Sequence, residues 1–391
     1  MSNPLARLTA ALFALAATAC AAENARQTAA AADAPAGAQT AAPAAADSLR
    51  QDSAAGDVAG APNAAPDAAP NASRDPAATG AAPGDTSRRV TGTLIAGRSK
   101  QDQSTFDAVI RKGTAKLASW PKAPAPAPGA LLPGKRIIAY YGNPHSKKMG
   151  VIGEYPEQQM LGMLDRTVAQ WKAADPATPI VPAIHLVSVV AQGAPGSDGK
   201  WRRRESAEMI ERTYGWAKSK SGVLFLDIQV GHSTLREELP PLLKYLERPD
   251  VHLGIDPEFH MHHDKAGVRP SAKIGQMRAS DINYVINTLD QLVTEKRIPP
   301  KVLVVHRFTR LMVPDAVNIR PTKNVQVVMH MDGWGPPWLK FDSYHHYVVN
   351  EPVQFTGFKL FYHNDTKAGH ALLTPKELLQ LKPTLSYVQY Q

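Results

Sequence analysis

Three apolar runs of this chain end in polar residues spaced two apart, and those pairs are where its chemistry is to be sought. Asp227 and Gln229 follow Leu226, Asp256 and Glu258 follow Ile255, and His330 and Asp332 flank Met331. In an extended strand residues two apart point to the same face, so each pair can project together. Pro257 lacks a backbone donor and fits poorly inside a strand, which puts Asp256 and Glu258 at a strand's exit. Other runs add His185, His306 and Lys359. Lys and Asp are seldom fully buried without partners, and carboxylates converging on one rim repel each other. Such a gathering implies a ligand, a metal or a shared proton.

Glycoside cleavage is the chemistry these types suit best. It needs one carboxyl that keeps its proton near neutral pH and a second group that stabilises or attacks the developing oxocarbenium ion. Glu258 is the expected acid, because a neighbouring Asp256 carboxylate disfavours its ionised form. Asp227 or Asp332 is the expected second group. Tyr140, Tyr141, Asn143, Trp334 and Trp338 lie near or just beyond strand ends, where rings can stack on sugars. His185, Gln229, His306, His330, Lys359 and Gln389 are the other expected substrate contacts. This reading requires no cofactor and no metal. A metal-dependent hydrolase is the second class: His260-x-His262-His263-Asp264, with His185, His306 and His330, offers the N and O ligands a divalent ion needs. A non-catalytic barrel that holds a glycan on an aromatic rim is the third.

The elements that would position these residues alternate in type. Apolar, β-rich runs occur at Ile137–Tyr141, Ile180–Val190, Val223–Val230, Val251–Asp256, Val302–Phe308, Val325–Met331, Gly357–Tyr362 and Leu385–Tyr390. Helical patterns lie between them: Glu157–Ala173, Glu205–Lys218, Leu235–Leu246, Ser280–Lys296, Phe341–Val349 and Pro375–Leu381. Near-continuous apolar strands alternating with helices indicate a parallel sheet buried on both faces. Eight of them over residues 135–391 indicate an α/β fold, a closed (β/α)8 TIM-type barrel with its chemistry at the C-terminal strand ends. An open doubly wound sheet is the alternative, but Tyr141-Gly142-Asn143-Pro144 is no Gly-rich phosphate turn. The last strand has no helix after it. Phe106, Val109, Ile110, Leu117 and Trp120 share one helical stripe, so residues 105–120 are expected to supply that helix from upstream, between strands eight and one. The Pro-rich stretch Pro121–Pro133 then leads to the barrel floor, making 101–134 a helix and linker that pack on the barrel.

Upstream of that, the composition changes. Residues 21–88 hold 28 Ala in 68 positions and almost no large apolar residues, too little to offset the entropy of ordering. Residues 20–100 are therefore expected to be a disordered tether. Residues 1–19 carry Arg7 and a short apolar run, Leu8–Ala19, that ends at Cys20, the one cysteine of the 391 residues. Such a run is too short to span a bilayer. Ala17-Thr18-Ala19-Cys20 resembles a bacterial lipoprotein signal, which implies cleavage before Cys20, lipidation of its thiol, and a location in the cell envelope; Ala21 after it implies the outer membrane where two membranes exist. Residues 1–100 balance 8 Lys+Arg with 8 Asp+Glu, so the whole net charge of +9 belongs to residues 101–391. A basic domain favours anionic partners, including acidic polysaccharide, phosphorylated envelope polymers, lipid head groups or nucleic acid, and with the glycosidase reading the expected partner is a polysaccharide or other envelope glycan. The densest basic cluster, Lys200-Trp201-Arg202-Arg203-Arg204, reads as a solvated loop and helix start. The chain carries no nucleic-acid-binding motif.

Two further resemblances rest on motifs. Gly254-Ile255-Asp256-Pro257-Glu258 resembles the end of the strand-four signature of chitinase-like glycoside hydrolase barrels, and Met329-His330-Met331-Asp332 is similar to the Met-x-Tyr-Asp of their sixth strand. The resemblance implies that Glu258 is the acid and that Asp256 tunes and orients it. Val251, His252 and Leu253 stand where that family carries an earlier acidic residue, and Met331 replaces its Tyr. More broadly, residues 135–391 resemble a bacterial group of lipoprotein-type barrels, which implies the fold and no particular reaction.

Overall fold

The computed structural model describes residues 91–261 and 267–391. The expected signal peptide, Cys20 and most of the expected tether lie outside the described residues, as do His262, His263 and Asp264. No helix among the described residues is long and apolar enough to cross a membrane.

Eight parallel strands close into a barrel. They are β1 (Arg136–Gly142), β2 (Ile180–Ala191), β4 (Val223–Ile228), β5 (Val251–Ile255), β6 (Lys301–Arg307), β7 (Val325–Met331), β8 (Phe355–Leu360) and β9 (Tyr387–Tyr390). Each pairs with the next around the ring, and β1 closes it by pairing with both β9 and β2. The architecture is the expected TIM-type barrel. Every strand is buried on both faces, which is why their sequences run apolar rather than alternating.

Helices clad the outside: α1 (Lys100–Leu117), α2 (Val151–Glu154), α3 (Glu157–Ala174), α4 (Ala207–Ser219), α5 (Leu235–Glu238), α6 (Leu243–Leu246), α7 (Ala279–Lys296), α8 (Pro337–Tyr344) and α9 (Pro375–Leu378). The expected helix over Leu235–Leu246 is interrupted by a 3₁₀ turn at Pro240–Leu242, because Pro240 and Pro241 cannot donate in a continuous helix. After α8 the chain takes one π turn, His345–Val349.

Helix α1 forms, but not where the missing eighth helix was expected. Ser99 caps it through Asp102, and Asp102 Oδ1 accepts the Trp338 backbone N–H at 2.9 Å, which ties α1 to the start of α8. Phe106 packs on Phe341, ring centroids 4.7 Å apart. Arg98 is anchored to Glu377 at 2.9 Å and to the carbonyls of Ala371 and Leu372. The neighbourhood of the last strand is instead covered from α3, whose Trp171 Nε1 donates to Tyr390 Oη at 2.9 Å. α9 packs against α3 on that side, and α1 buries its stripe on α8 instead.

The Pro-rich stretch does lead to the barrel floor. Leu131 and Leu132 backbone N–H groups donate to Gln326 Oε1, and Leu132 seals an interior of Ile137, Ala183, Phe225, Val304 and Val328. The basic cluster departs from expectation. β2 overshoots the barrel, and its end pairs antiparallel with β3 (Arg202–Arg204). Arg202 and Arg204 both reach Glu238 at 2.7 Å, Arg203 reaches Glu205 at 2.8 Å and Lys200 lies 3.3 Å from Glu237. Much of its charge is paired internally.

Candidate functional site

Above the apolar floor the barrel interior turns polar. Asp227 of β4, His185 of β2, His306 of β6 and His330 of β7 point inward and are wholly buried. Nearer the mouth come Tyr141 of β1, Gln229, Asp256, Asp332, Lys359 of β8 and Gln389 of β9, each at most 4% exposed. Glu258 is the outermost of the four carboxyls at 6%, and Asp227 the deepest at 0%. Two glycines make room for this layer. A Cβ on Gly254 would come within 2.6 Å of His185 Nε2, and one on Gly357 within 2.5 Å of His330 Nδ1.

A continuous polar chain crosses the barrel. Lys359 Nζ lies 2.9 Å from Asp332 Oδ1 and 3.8 Å from the centre of the Tyr141 ring. Asp332 Oδ2 accepts from His306 Nδ1 at 2.8 Å. His306 Nε2 and His185 Nε2 each lie 3.2 Å from Asp227 Oδ2. His185 Nδ1 lies 2.6 Å from Tyr387 Oη, to which Gln389 Nε2 donates at 2.9 Å. The Tyr387 hydroxyl can give its hydrogen to His185 Nδ1, which places the ring proton on Nε2, or accept from Nδ1–H, which leaves Nε2 with its lone pair.

The charges divide the carboxyls into two sets. Burial opposes ionisation of Asp227, yet His306 and His185 hold its carboxyl far below the usual range. Burial opposes it at Asp332 too, where Lys359 and His306 win in the same way. His306 is correspondingly pushed up to about 10, burial notwithstanding, by its two carboxylates. His185 falls to about 4 and His330 well below the usual histidine value, both chiefly through burial. Asp256 goes the other way, up to about 7, through burial and the carboxylates of Asp227 and Asp332, with His306 opposing. Glu258 is raised well above the usual carboxyl range by burial, then by Asp256 and Asp332.

Local structure fixes the acid pair. β5 ends at Ile255, and Asp256 caps the 3₁₀ turn Pro257–Phe259, its Oδ1 accepting the Glu258 backbone N–H at 3.1 Å. Gln229 Nε2 lies 3.4 Å from Asp256 Oδ2 and 3.3 Å from Tyr141 Oη, spanning the mouth from β4.

Three of the expected substrate contacts stand elsewhere. Tyr140 faces outward, its hydroxyl 2.8 Å from Thr167 Oγ1 of α3 and 3.0 Å from Tyr362 Oη, because adjacent strand residues point to opposite faces and Tyr141 takes the inner one. Asn143 is consumed by structure: its amide donates to Val187 O and Glu205 Oε1, and its Oδ1 accepts the His145 N–H. Trp338 begins α8, against α1. Trp334 is half-buried in a rim loop held by Asp365, which accepts from Gly335 N at 3.0 Å, and Lys367 lies over its ring at 5.3 Å. His260 sits beside the acid pair, its Nδ1 hydrogen-bonded to Gln276 O. Tyr387, Gly254 and Gly357 are the members that sequence reasoning missed. The alternation in Tyr387-Val388-Gln389 could have placed Tyr387 inward with Gln389.

No protein-family model matches the chain, and no curated protein matches it. The resemblances drawn from short motifs therefore gain no support beyond the eight-stranded barrel itself.

Proposed function

We propose that the barrel mouth hydrolyses glycosidic bonds, with Glu258 as general acid and Asp256 as the residue that orients it and keeps it protonated. One observation carries the reading: buried carboxyls with opposite tendencies share the same mouth. Glu258 holds its proton well above the usual carboxyl range and Asp256 gives up its own only near pH 7, so that ionised Asp256 then opposes loss of the Glu258 proton, while Asp227 and Asp332 stay ionised beside cations. Carboxyls whose affinities for protons are driven apart are what acid catalysis with charge stabilisation requires.

In the proposed step Glu258 gives its proton to the glycosidic oxygen as the bond to the anomeric carbon breaks. The Asp332 carboxylate, fixed by Lys359 and His306, stabilises the positive charge that develops on the sugar. Water then bonds to the anomeric carbon and returns a proton to the Glu258 carboxylate, which restores the acid. Trp334 supplies a ring face at the rim, and Gln229 a hydrogen-bonding group, for the sugar. The substrate class is a cell-envelope or extracellular polysaccharide, with an acidic one favoured by the basic domain. Cys20 is the proposed lipid anchor, holding the barrel to a membrane of the envelope.

The test is a cleavage screen over neutral and acidic envelope polysaccharides, followed by pH profiles on any substrate found. Asp256→Asn should lower the rate and move the basic limb to lower pH, because removing a neighbouring negative charge makes ionised Glu258 easier to form. A basic limb that stays in place, or moves up, contradicts the assignment of Asp256.

A further inference from the structure

One layer below the acid pair lies a set of atoms that touch neither the acid nor the sugar in the proposed reaction. His185 Nε2 and His306 Nε2 approach the same oxygen, Asp227 Oδ2, each at 3.2 Å. All three residues are 0% exposed. None of the three atoms has an aligned hydrogen-bond partner. The two ring nitrogens therefore crowd one carboxylate oxygen without aiming their N–H bonds along the line to it. The spacing fits lone pairs directed at a common centre, since N and O ligands about 2.0–2.1 Å from a tetrahedral ion lie about 3.3 Å from one another.

The outer contacts fit as well. His306 turns its far nitrogen to the Asp332 carboxylate at 2.8 Å, and His185 turns its own to Tyr387 Oη at 2.6 Å. Metal-binding imidazoles are held in this way, with the second ring nitrogen engaged by an oxygen that fixes the ring. Space is kept clear by Gly254, where a side chain would strike both His185 Nε2 and, at 2.9 Å, Asp227 Oδ1.

We propose that His185, Asp227 and His306 form a binding site for a divalent transition-metal ion, and their two imidazoles and one carboxylate suit zinc. Binding needs the Nε2 lone pair of each ring, so His306 gives up a proton and His185 carries its remaining one on Nδ1. The site does not depend on the glycosidase reading: the ion sits beneath Asp256 and Glu258 and takes neither as a ligand.

The test uses the full chain carrying His262→Ala and His263→Ala, so that an ion on those side chains is not counted. Protein stripped with EDTA is loaded with ZnCl2 or CoCl2, desalted and assayed for metal per chain. About one ion per chain should remain, the cobalt form should show the intense visible absorption of a tetrahedral site, and X-ray absorption should report imidazole ligands. Asp227→Asn and His306→Gln, checked for native circular dichroism, should bind at least tenfold more weakly, whereas Glu258→Gln should bind as the parent does. A parent that keeps no metal, or an octahedral cobalt spectrum, overturns the proposal without any variant having to fold. Undiminished binding by Asp227→Asn overturns it too. Loss of cleavage by Glu258→Gln with metal retained separates this claim from the acid assignment.

Discussion

Replacing Gly254 by alanine tests whether the buried polar layer is as tightly fitted as its geometry demands. Gly254 pairs in register with Asp227 across β4 and β5. The added methyl would lie 2.6 Å from His185 Nε2 and 2.9 Å from Asp227 Oδ1, well inside normal contact. Neither neighbour can retreat cheaply. The His185 ring lies parallel to Phe225, 3° between planes and 5.1 Å between centroids, with its far side against Tyr387. Asp227 Oδ1 is held by the Ile228 N–H at 2.9 Å. Forcing one methyl into such a site costs about 1–3 kcal/mol, and spoiling one buried polar contact costs about 1 kcal/mol more. Gly254→Ala should therefore lose about 2–4 kcal/mol in urea titration. Gly215→Ala is the control: that position is exposed in α4 and its Cβ would meet nothing within 4 Å. There alanine should gain about 0.5–1 kcal/mol, because glycine is costly inside a helix. If Gly254→Ala proved as stable as the parent at an unchanged m value, the close packing of this layer would be wrong.

Three other outcomes follow from the charges and anchors. Asp256 is raised from 3.8 to about 7, so the stability it contributes is full below its unfolded pKa and fades as pH rises through about 7; in EDTA-treated protein the urea midpoint should fall less between pH 4 and 7 for Asp256→Asn than for the parent, and equal slopes would contradict this. Arg98→Ala leaves Glu377, 1% exposed, without its guanidinium, so limited proteolysis should cut near α1 before the rest of the barrel, and an unchanged cleavage order would refute the anchoring. A labelled fatty acid should mark the parent but not Cys20→Ser in a bacterial host, and equal labelling would remove the proposed anchor.

The barrel was legible because strands buried on both faces and helices buried on one leave different patterns. The same burial hid much of the site's geometry. Ile137-Ile138-Ala139-Tyr140-Tyr141 is apolar at every position, so nothing in it says which tyrosine faces inward, and Tyr140 was expected in a mouth that only Tyr141 lines. Asp256, Glu258, Asp227 and Asp332 could be read because Pro257 marks a strand's exit and polar residues stand out at strand ends. Their division into a pair whose protons are held more tightly and a pair that stays ionised could not, since it depends on Lys359 and His306 arriving from β8 and β6. Glycine gave no signal by composition either: Gly254 and Gly357 matter because imidazoles from other strands fill the space a side chain would take. The position of α1 is hidden for a related reason, since an amphipathic stripe shows that a helix buries a face and not which neighbours receive it.

The most direct measurement is hydrolysis by wild type and Glu258→Gln side by side over the same polysaccharide panel. The amide keeps the shape of the side chain but cannot give up a proton. At least one glycan should be cleaved by wild type and bound with similar affinity but not cleaved by Glu258→Gln, with the two proteins equally folded. Cleavage by Glu258→Gln at the wild-type rate would show that Glu258 is not the acid.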